Sequence, residues 1–361
     1  TYATCRTAAN ERHFEWDEVM RLRTLDEVTA RTGIAIDVLR TWAAHDRYDD
    51  FWRARDVAEA YRGIAVPGIH AGGWWDHATR GVFDAYEGVR DRGRTPAARS
   101  GQRLVIGPWG HATTGAVGEE HVRYGAWVFG DAADFDVFED ELRCLDHHVR
   151  GIDNGWEETP PVRAFLMGGT DGIVGGRWLE FSDWPPPEAE PTAFHLSSGA
   201  LTPEQSSRGA ADRFTYDPRN PAPVLGGAVS GMFGSFGPQD QRPILDRADV
   251  LTYRSDRLNH DLAVVGPIEL RLWIATDVTD TDIVAKLCVE EPSGAVMVLT
   301  NGALGARYRA SWSDPKPLVP GEPTELRVDL GRTGYRFAAG SRIALIVTSS
   351  EFPRLLPNPN V

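Results

Sequence analysis

The sequence of 361 residues is longer than one typical domain, and its hydrophobic fraction of 42% and charged fraction of 25% are ordinary for a soluble globular protein. Its 38 lysines and arginines against 52 aspartates and glutamates give a net charge of −14, which repels nucleic-acid phosphates and anionic lipid. We therefore expect no nucleic-acid partner and no membrane partner, and no apolar run approaches the roughly 20 residues of a membrane-spanning helix.

The N-terminal part of the chain has a helical pattern. Charged and apolar residues alternate from 15 to 30, Gly33 interrupts the run, and the pattern resumes from 34 to 44. After Gly63 the composition changes, and the short apolar run 64–71 predicts a buried parallel strand.

Further strands and helices follow in alternation. Apolar residues at helical spacing from 77 to 92 predict a helix, and the run 103–107 predicts a second buried strand. An amphipathic helix is predicted for 134–150 and ends at Gly151. This order indicates a parallel sheet covered by helices, the α/β part of the fold class.

Beyond a boundary predicted near 151–161, the chain has the pattern of an all-β domain without a long helix. Short apolar runs between turn signals predict strands at 193–196, 268–275, 284–290, 296–300, 325–330 and 342–348. Such a series suits a β-sandwich or jelly roll.

Two glycine-flanked segments at predicted strand ends carry an acid and a base. Gly-Gly-Trp-Trp-Asp ends at Asp76, and Gly-Pro-Trp-Gly-His ends at His111. In a catalytic triad Asp76 would accept a hydrogen bond from the imidazole of His111, which would act as the general base. Each residue also has an ordinary structural alternative, because Asp76 suits a helix N-cap and a lone loop histidine is commonly a surface residue.

The serine nucleophile of such a triad is missing from this sequence. α/β-hydrolases carry the triad in the order Ser, Asp, His, yet the first serine here is Ser100 and no Gly-x-Ser-x-Gly occurs anywhere. Cys5 precedes Asp76 but has no neighbouring glycines to form a nucleophile elbow. We therefore expect this chain to be a piece of a larger enzyme.

Other groups with the chemistry of metal ligands are predicted to be structural. They are the three cysteines (Cys5, Cys144 and Cys288), the pair His147-His148, and an acidic turn with Asp277, Asp280 and Asp282. The cysteines are scattered, adjacent histidines on a helix are expected to point in different directions, and the turn lacks the spacing of a calcium loop. We therefore predict no metal and no cofactor. The low cysteine count favours the cytoplasm and leaves a secreted protein open.

The two segments around Asp76 and His111 resemble the acid and base motifs of the CocE/NonD hydrolases, the cocaine-esterase and X-Pro dipeptidyl-peptidase group of α/β-hydrolases. The likeness continues in the β-rich half, at Tyr-Asp-Pro-x-x-Pro (216–221), Gln-Arg-Pro (241–243), Asp-Thr-Asp-Ile-Val-Ala-Lys (280–286), Gly302, Arg-Tyr-Arg (307–309) and Ser-Ser-Glu-Phe-Pro-Arg (349–354). Together these motifs cover most of the chain from about residue 45.

The resemblance implies a division into three parts. Residues 1–62 would be the end of a helical cap domain, 63–155 the C-terminal part of an α/β-hydrolase core, and 160–361 a truncated jelly-roll β-sandwich domain. The family's serine lies in a Gly-x-Ser-Tyr-x-Gly elbow upstream of the cap, so only the catalytic roles of Asp76 and His111 carry over.

The resemblance also implies a substrate class, a small-molecule ester or amide. The positions after Asp76 are not acidic, unlike those that hold the substrate ammonium in α-amino-acid ester hydrolases, so an esterase or amidase of cocaine-esterase type fits best. Ala78 would leave a roomy acyl site, and Met232 and Phe233 of the loop 228–236 would cover it. Trp75 belongs either to the core or to an apolar acyl pocket.

Two other functions stay open at this point. The chain could be the C-terminal half of a split hydrolase whose other half is a separate polypeptide. It could also be a non-catalytic jelly-roll binding protein with a vestigial hydrolase lobe. The sequence leaves a homo-oligomer open.

Overall fold

Short helices come first in the described part of the protein. The computed structural model describes residues 22, 24–33, 37–111, 114, 123–169, 175–205, 211–229 and 236–360. Its first helices are α1 (Leu25–Thr32), α2 (Asp37–Ala44), α3 (Asp50–Arg53) and a 3₁₀ helix (Val57–Gly63). The hydroxyl of Thr24 accepts a hydrogen bond from the main-chain nitrogen of Glu27 and caps α1. Gly33 ends α1 with φ 67°, so the predicted interruption is confirmed.

Strands and helices then alternate, as the apolar pattern predicts. They are β1 (Gly68–Gly73), α4 (Thr79–Arg92), α5 (Pro96–Ser100), β2 (Gln102–Gly107) and α6 (Val137–Arg150). β1 and β2 pair in parallel, from Gly68 opposite Gln102 to Gly73 opposite Gly107. All residues of β2 are buried, which is typical of a strand covered on both faces.

The parallel sheet continues beyond the boundary predicted near 151–161. β5 (Val162–Gly168) pairs in parallel with β2 and antiparallel with β6 (Gly176–Phe181). The end of β5 also pairs with β13 (Thr324–Phe337), which pairs antiparallel with β10 (Leu262–Ile274). One sheet therefore has the order β1-β2-β5-β13-β10, with β6 on the free edge of β5. The predicted domain boundaries stay predictions.

A second sheet of six strands faces the first. Its strands are β7 (His195–Ser197), β8 (Ala200–Thr202), β9 (Val250–Arg254), β11 (Asp282–Glu290), β12 (Val296–Gly305) and β14 (Arg342–Thr348). Their order is β12-β11-β14-β9-β8-β7, antiparallel throughout except between β8 and β9.

The remaining elements are short. They are the hairpin of β3 (Arg123–Tyr124) and β4 (Trp127–Val128), the helix α7 (Arg242–Leu245), and 3₁₀ helices at Asp131–Ala133, Trp156–Glu158 and Ala306–Tyr308. Among the described residues after Pro161, α7 is the only α-helix, as the sequence predicts. No helix in the described ranges has the length and apolar character that a bilayer crossing requires.

One hydrophobic cluster joins the two sheets. It contains Trp74 and Phe165 from the first sheet and its loops, and Leu287 and Leu345 from the second. The indole nitrogen of Trp74 donates to the main-chain oxygen of Phe165 over 2.8 Å, so the tryptophan is both buried and hydrogen-bonded.

A buried ion pair lies in the second sheet. The ammonium of Lys286 is 2.8 Å from a carboxylate oxygen of Glu351, and both side chains are almost fully buried. Glu351 also accepts hydrogen bonds from the side chains of Asn301 and Arg354. A buried carboxylate is costly unless it is paired with a charge and hydrogen-bonded, and these partners provide both.

Candidate active site

The C-terminal ends of β1 and β2 lie side by side, and main-chain hydrogen bonds join the loops that follow them. The nitrogen of Trp74 donates to the oxygen of Gly107 over 2.9 Å, and the nitrogen of Trp75 donates to the oxygen of Trp109 over 3.0 Å. A Cβ atom at Gly73 would lie 2.1 Å from the oxygen of Trp109. The close approach of the two loops therefore requires glycine at position 73.

Asp76 is buried in the turn between β1 and α4, with 6% of its surface exposed. Its Oδ1 accepts a hydrogen bond from the main-chain nitrogen of Ala78 over 2.8 Å. Helix α4 begins at Thr79, two positions later than the predicted 77. The carboxylate therefore organises the turn before the helix, close to the capping alternative, and this role leaves its other lone pairs available.

His111 faces that carboxylate. Its Nδ1 lies 3.2 Å from both oxygens of Asp76. The imidazole side chain is 68% exposed, whereas the carboxylate is 7% exposed. The structure thus brings together the two residues that the sequence predicts as acid and base. A buried carboxylate at Nδ1 fixes the tautomer in which Nε2 can accept a proton.

His77 is a third titratable group at this place, and sequence reasoning missed its position. Its Nδ1 lies 3.5 Å from Oδ1 of Asp76, and its ring centroid is 4.7 Å from that of His111. From the sequence, position 77 is predicted to begin a helix and to lack the acidic side chain that would hold a substrate ammonium. Its place directly after the aspartate was the available signal, because a tight turn returns that side chain toward the carboxylate.

Tyr124 packs behind the His111 loop. A Cβ atom at Gly110 would lie 1.7 Å from the hydroxyl of Tyr124, so the phenol fills the space that a side chain there would need. Burial, together with the negative charge of Asp76, raises the pKa of Tyr124 to about 12. The ring of Tyr124 also contacts Phe236, with centroids 5.2 Å apart. It therefore connects the His111 loop to the end of the loop 228–236.

The structure describes two of the four predicted substrate-binding residues, and these two lie in different environments. Trp75 is fully buried and meets Trp127 edge to face at 6.0 Å, which is the environment of a core residue. Ala78 is exposed beside Asp76. Met232 and Phe233 lie outside the described residues. Their substrate contacts, like the catalytic roles of Asp76 and His111, stay predictions.

Two expectations for the other polar groups need correction. The rings of His147 and His148 are in contact, edge to face at 4.7 Å, although adjacent helical positions were expected to point apart. Asp282 is a strand residue of β11 rather than part of a solvated turn. Burial, and to a lesser degree the charge of Asp280, raises the pKa of Asp282 to about 6, although the amide of Asn358 donates to it.

The cysteines are unpaired in the described part of the chain. Cys144 is half-buried and Cys288 is fully buried, and both are free thiols. Burial raises the pKa of both thiols, which makes them poor nucleophiles. Cys5 lies outside the described residues.

Two family models match most of the chain. The model described as X-Pro dipeptidyl-peptidase (S15 family) matches residues 3–113, which include Asp76 and His111. The model described as X-Pro dipeptidyl-peptidase C-terminal non-catalytic domain matches residues 154–361.

Among curated proteins, the chain is similar to the cocaine esterase of Rhodococcus sp. (strain MB1 Bresler). The two are 32% identical over 330 residues, which cover 88% of this chain and 54% of the esterase. The chain spans about half the length of the curated relatives it matches.

Two solved structures share the fold. An aminopeptidase from a marine sediment Thaumarchaeota archaeon superposes with a TM-score of 0.76 at 26% identity, over 95% of this chain and 58% of that one. An α-amino acid ester hydrolase superposes with a TM-score of 0.76 at 23% identity, over 97% of this chain and 59% of that one. These matches confirm the predicted fold class, an α/β-hydrolase part followed by a β-sandwich.

Proposed function

The chain belongs to the CocE/NonD family of α/β-hydrolases, the group of the cocaine esterases and the X-Pro dipeptidyl-peptidases, and we propose that it supplies the acid and base of a serine hydrolase that cleaves carboxylic esters or amides. The observation that carries this proposal is the buried carboxylate of Asp76 at 3.2 Å from Nδ1 of the exposed His111.

The reaction follows from this pair. Nε2 of His111 takes the proton of a serine hydroxyl as the hydroxyl attacks the substrate carbonyl, and then gives it to the leaving group. Asp76 holds Nδ1–H and stabilises the imidazolium that forms. Water then cleaves the acyl-enzyme by the same route. The serine comes from a segment outside this sequence, because no Gly-x-Ser-x-Gly occurs in it.

A neutral ester or amide is the proposed substrate. The positions after Asp76 are His77, Ala78 and Thr79, so no carboxylate stands there to hold a substrate ammonium. The small, exposed Ala78 beside the carboxylate leaves space for an acyl group. These features favour the cocaine-esterase type over enzymes that act on free amino termini.

The test begins with the reading frame upstream of Thr1. We expect it to encode Gly-x-Ser-Tyr-x-Gly, and we expect the longer protein to hydrolyse nitrophenyl esters and to be labelled by a fluorophosphonate probe. The 361-residue chain alone is the control and should give neither signal. A labelled serine within this chain, or ester hydrolysis that survives H111Q in the longer protein, would contradict the proposal.

If a stop codon lies directly upstream of Thr1, the proposal is tested as a split hydrolase, in which a separate polypeptide supplies the serine. The separate half that carries the serine would then be mixed with this chain. Recovery of ester hydrolysis on mixing supports the proposal, and no recovery at saturating concentrations argues for a non-catalytic protein.

A further inference from the structure

Two imidazoles and one buried carboxylate converge beside the end of β1. One ligand atom each from Asp76, His77 and His111 lies within 4.8 Å of the other two. The sequence predicts no metal site, because its cysteines are scattered, its adjacent histidines lie on a helix and its acidic turn lacks the spacing of a calcium loop. The turn after β1 and the loop after β2 bring these three together.

The two imidazole–carboxylate spacings at this place are close to those of zinc ligands. Zinc binds histidine nitrogen and carboxylate oxygen at about 2.0–2.2 Å with tetrahedral angles, so two of its ligand atoms stand roughly 3.3–3.5 Å apart. Nδ1 of His77 is 3.5 Å from Oδ1 of Asp76, and Nδ1 of His111 is 3.2 Å from the same carboxylate. The donor nitrogens of His77 and His111 lie within 4.8 Å of each other, so rotation of these two exposed side chains would bring all three donors to one ion.

The surroundings also suit a metal site that keeps an open position. The carboxylate of Asp76 is held by the main-chain nitrogen of Ala78, the kind of supporting hydrogen bond that orients metal ligands. The side chains of His77 and His111 are 44% and 68% exposed, so an ion can enter from solvent. Two imidazoles with one carboxylate favour Zn²⁺ over Mg²⁺ or Ca²⁺, which prefer oxygen ligands.

We propose that Asp76, His77 and His111 form a Zn²⁺ site, with water in the remaining position. Zinc takes Nδ1 of His111 as its ligand atom and the proton of Nδ1 moves to Nε2, so zinc binding excludes both the hydrogen bond to Asp76 and proton acceptance at Nε2. Where the proposed function holds, on which this consequence rests, zinc inhibits the hydrolase by removing the orienting contact and adding positive charge beside the imidazole.

A second histidine cluster in the described ranges provides a matched control. One ligand atom each from His147, His148 and Glu157 also lies within 4.8 Å of the other two. Nε2 of His147 is 3.0 Å from Oε1 of Glu157, and the side chain of Glu157 is 70% exposed. No buried carboxylate anchors this cluster.

The experiment titrates the metal-free 361-residue chain with Zn²⁺ by calorimetry, and with Co²⁺ by visible absorption. We expect one equivalent of Zn²⁺ to bind, and the absorption bands of a four- or five-coordinate Co²⁺ ion to appear. H77Q and H111Q remove exposed ligands, and each should weaken binding by at least roughly 10- to 100-fold, the loss caused elsewhere by changes to supporting residues. The double variant H147Q/H148Q should bind as the unsubstituted chain does.

Two binding results would overturn the assignment: zinc affinity that is unchanged in H77Q, or zinc binding that is lost only in H147Q/H148Q. Absence of zinc binding would also overturn it, provided that cooperative unfolding shows the chain to be folded. The binding readout needs no nucleophile, so it is independent of the proposed function. In the longer protein, zinc should inhibit ester hydrolysis, and H77Q should relieve that inhibition while H147Q/H148Q does not. Zinc binding without any hydrolase activity would remove the proposed function alone.

Discussion

The main-chain nitrogen of Trp75 donates a hydrogen bond to the main-chain oxygen of Trp109 over 3.0 Å, and this contact joins the loops that carry the acid and the base. It brings two main-chain segments so close that Gly73 has no space for a side chain. The position of His111 relative to Asp76 therefore depends on backbone contacts outside the catalytic pair.

We expect G73A to destabilise the protein, because the added Cβ would lie 2.1 Å from the oxygen of Trp109. Overpacking of this kind costs about 1–3 kcal/mol. The matched control is G81A in helix α4, where a Cβ meets nothing within 4 Å. That exchange should stabilise the helix by about 0.5–1 kcal/mol. Urea unfolding measures both, and equal midpoints for the two variants would contradict the close approach.

In the longer protein, D76N should lower kcat by about 10⁴-fold with little change in KM, because the imidazole loses the partner that fixes its tautomer. The amide oxygen of Asn can still accept from Ala78, so the turn is retained. H111Q should cost about 10⁶-fold, the loss seen when a triad base is removed. Steady-state ester hydrolysis tests both variants. A D76N enzyme within tenfold of the unsubstituted rate would show that Asp76 only organises the turn before α4.

Glu351 and Lys286 form a buried pair at 2.8 Å, so E351Q leaves a buried ammonium without its counter-charge. Breaking such a pair costs about 3–5 kcal/mol. The control D146N removes a partner of the exposed Arg150 and should cost less than about 1 kcal/mol. Denaturant unfolding at neutral pH compares the two variants, and similar losses would mean that the buried pair contributes no more than a surface pair.

The same pair predicts a pH dependence. Burial alone would raise the pKa of Glu351, but the charges of Lys286 and Arg354 and their hydrogen bonds lower it below its usual value. A lowered pKa in the folded state contributes stability above the unfolded pKa of about 4.3, and this contribution is lost as the pH falls through the folded value. The stability gap between the unsubstituted protein and E351Q should therefore be constant near neutrality and shrink below about pH 4. A constant gap down to acid unfolding would contradict this.

Asp282 predicts the opposite dependence. Burial raises its pKa to about 6, so its stability contribution is present at low pH and lost as the pH rises through that value. D282N cannot ionise and keeps an oxygen that can accept from Asn358. We expect it to be more stable than the unsubstituted protein by about 2–3 kcal/mol near pH 7.5, with the difference shrinking below about pH 6 and closing near about pH 4. The exposed Asp277 provides the control, since thermal unfolding of D277N should show no such change between the two pH values.

The pairing of Asp76 with His111 could be predicted because it depends on a local rule. Both residues follow short parallel strands that pair with each other, and the carboxyl ends of parallel strands meet at one edge of the sheet. The proximity of His77 depends instead on the path of one tight turn. Apolar periodicity carries no information about such a turn.

Strand lengths show a similar limit. The prediction for β10 starts at residue 268, after Gly266 and Pro267, which have turn character, yet the strand begins at Leu262 and passes through both. The prediction for β13 ends at 330, before Gly331 and Gly334, although the strand reaches Phe337. At Gly334 a Cβ would lie 2.8 Å from the ring of Trp74, so this glycine makes room for a distant tryptophan. Contacts of that range leave no periodic pattern in the sequence.

The first sheet has a consequence for how this protein can be divided. The end of β5 pairs with β13, with Met167 opposite Tyr335 and Gly168 opposite Arg336. β5 also pairs with β2, which precedes the boundary between the two family models. A cut at that boundary would separate β2 from β5 and leave each fragment with a strand edge whose main-chain hydrogen bonds are unpaired. The two family models therefore divide the sequence at a place where the sheet is continuous. A β-rich half exchanged between relatives needs a β5 that pairs with the β2 of its new partner.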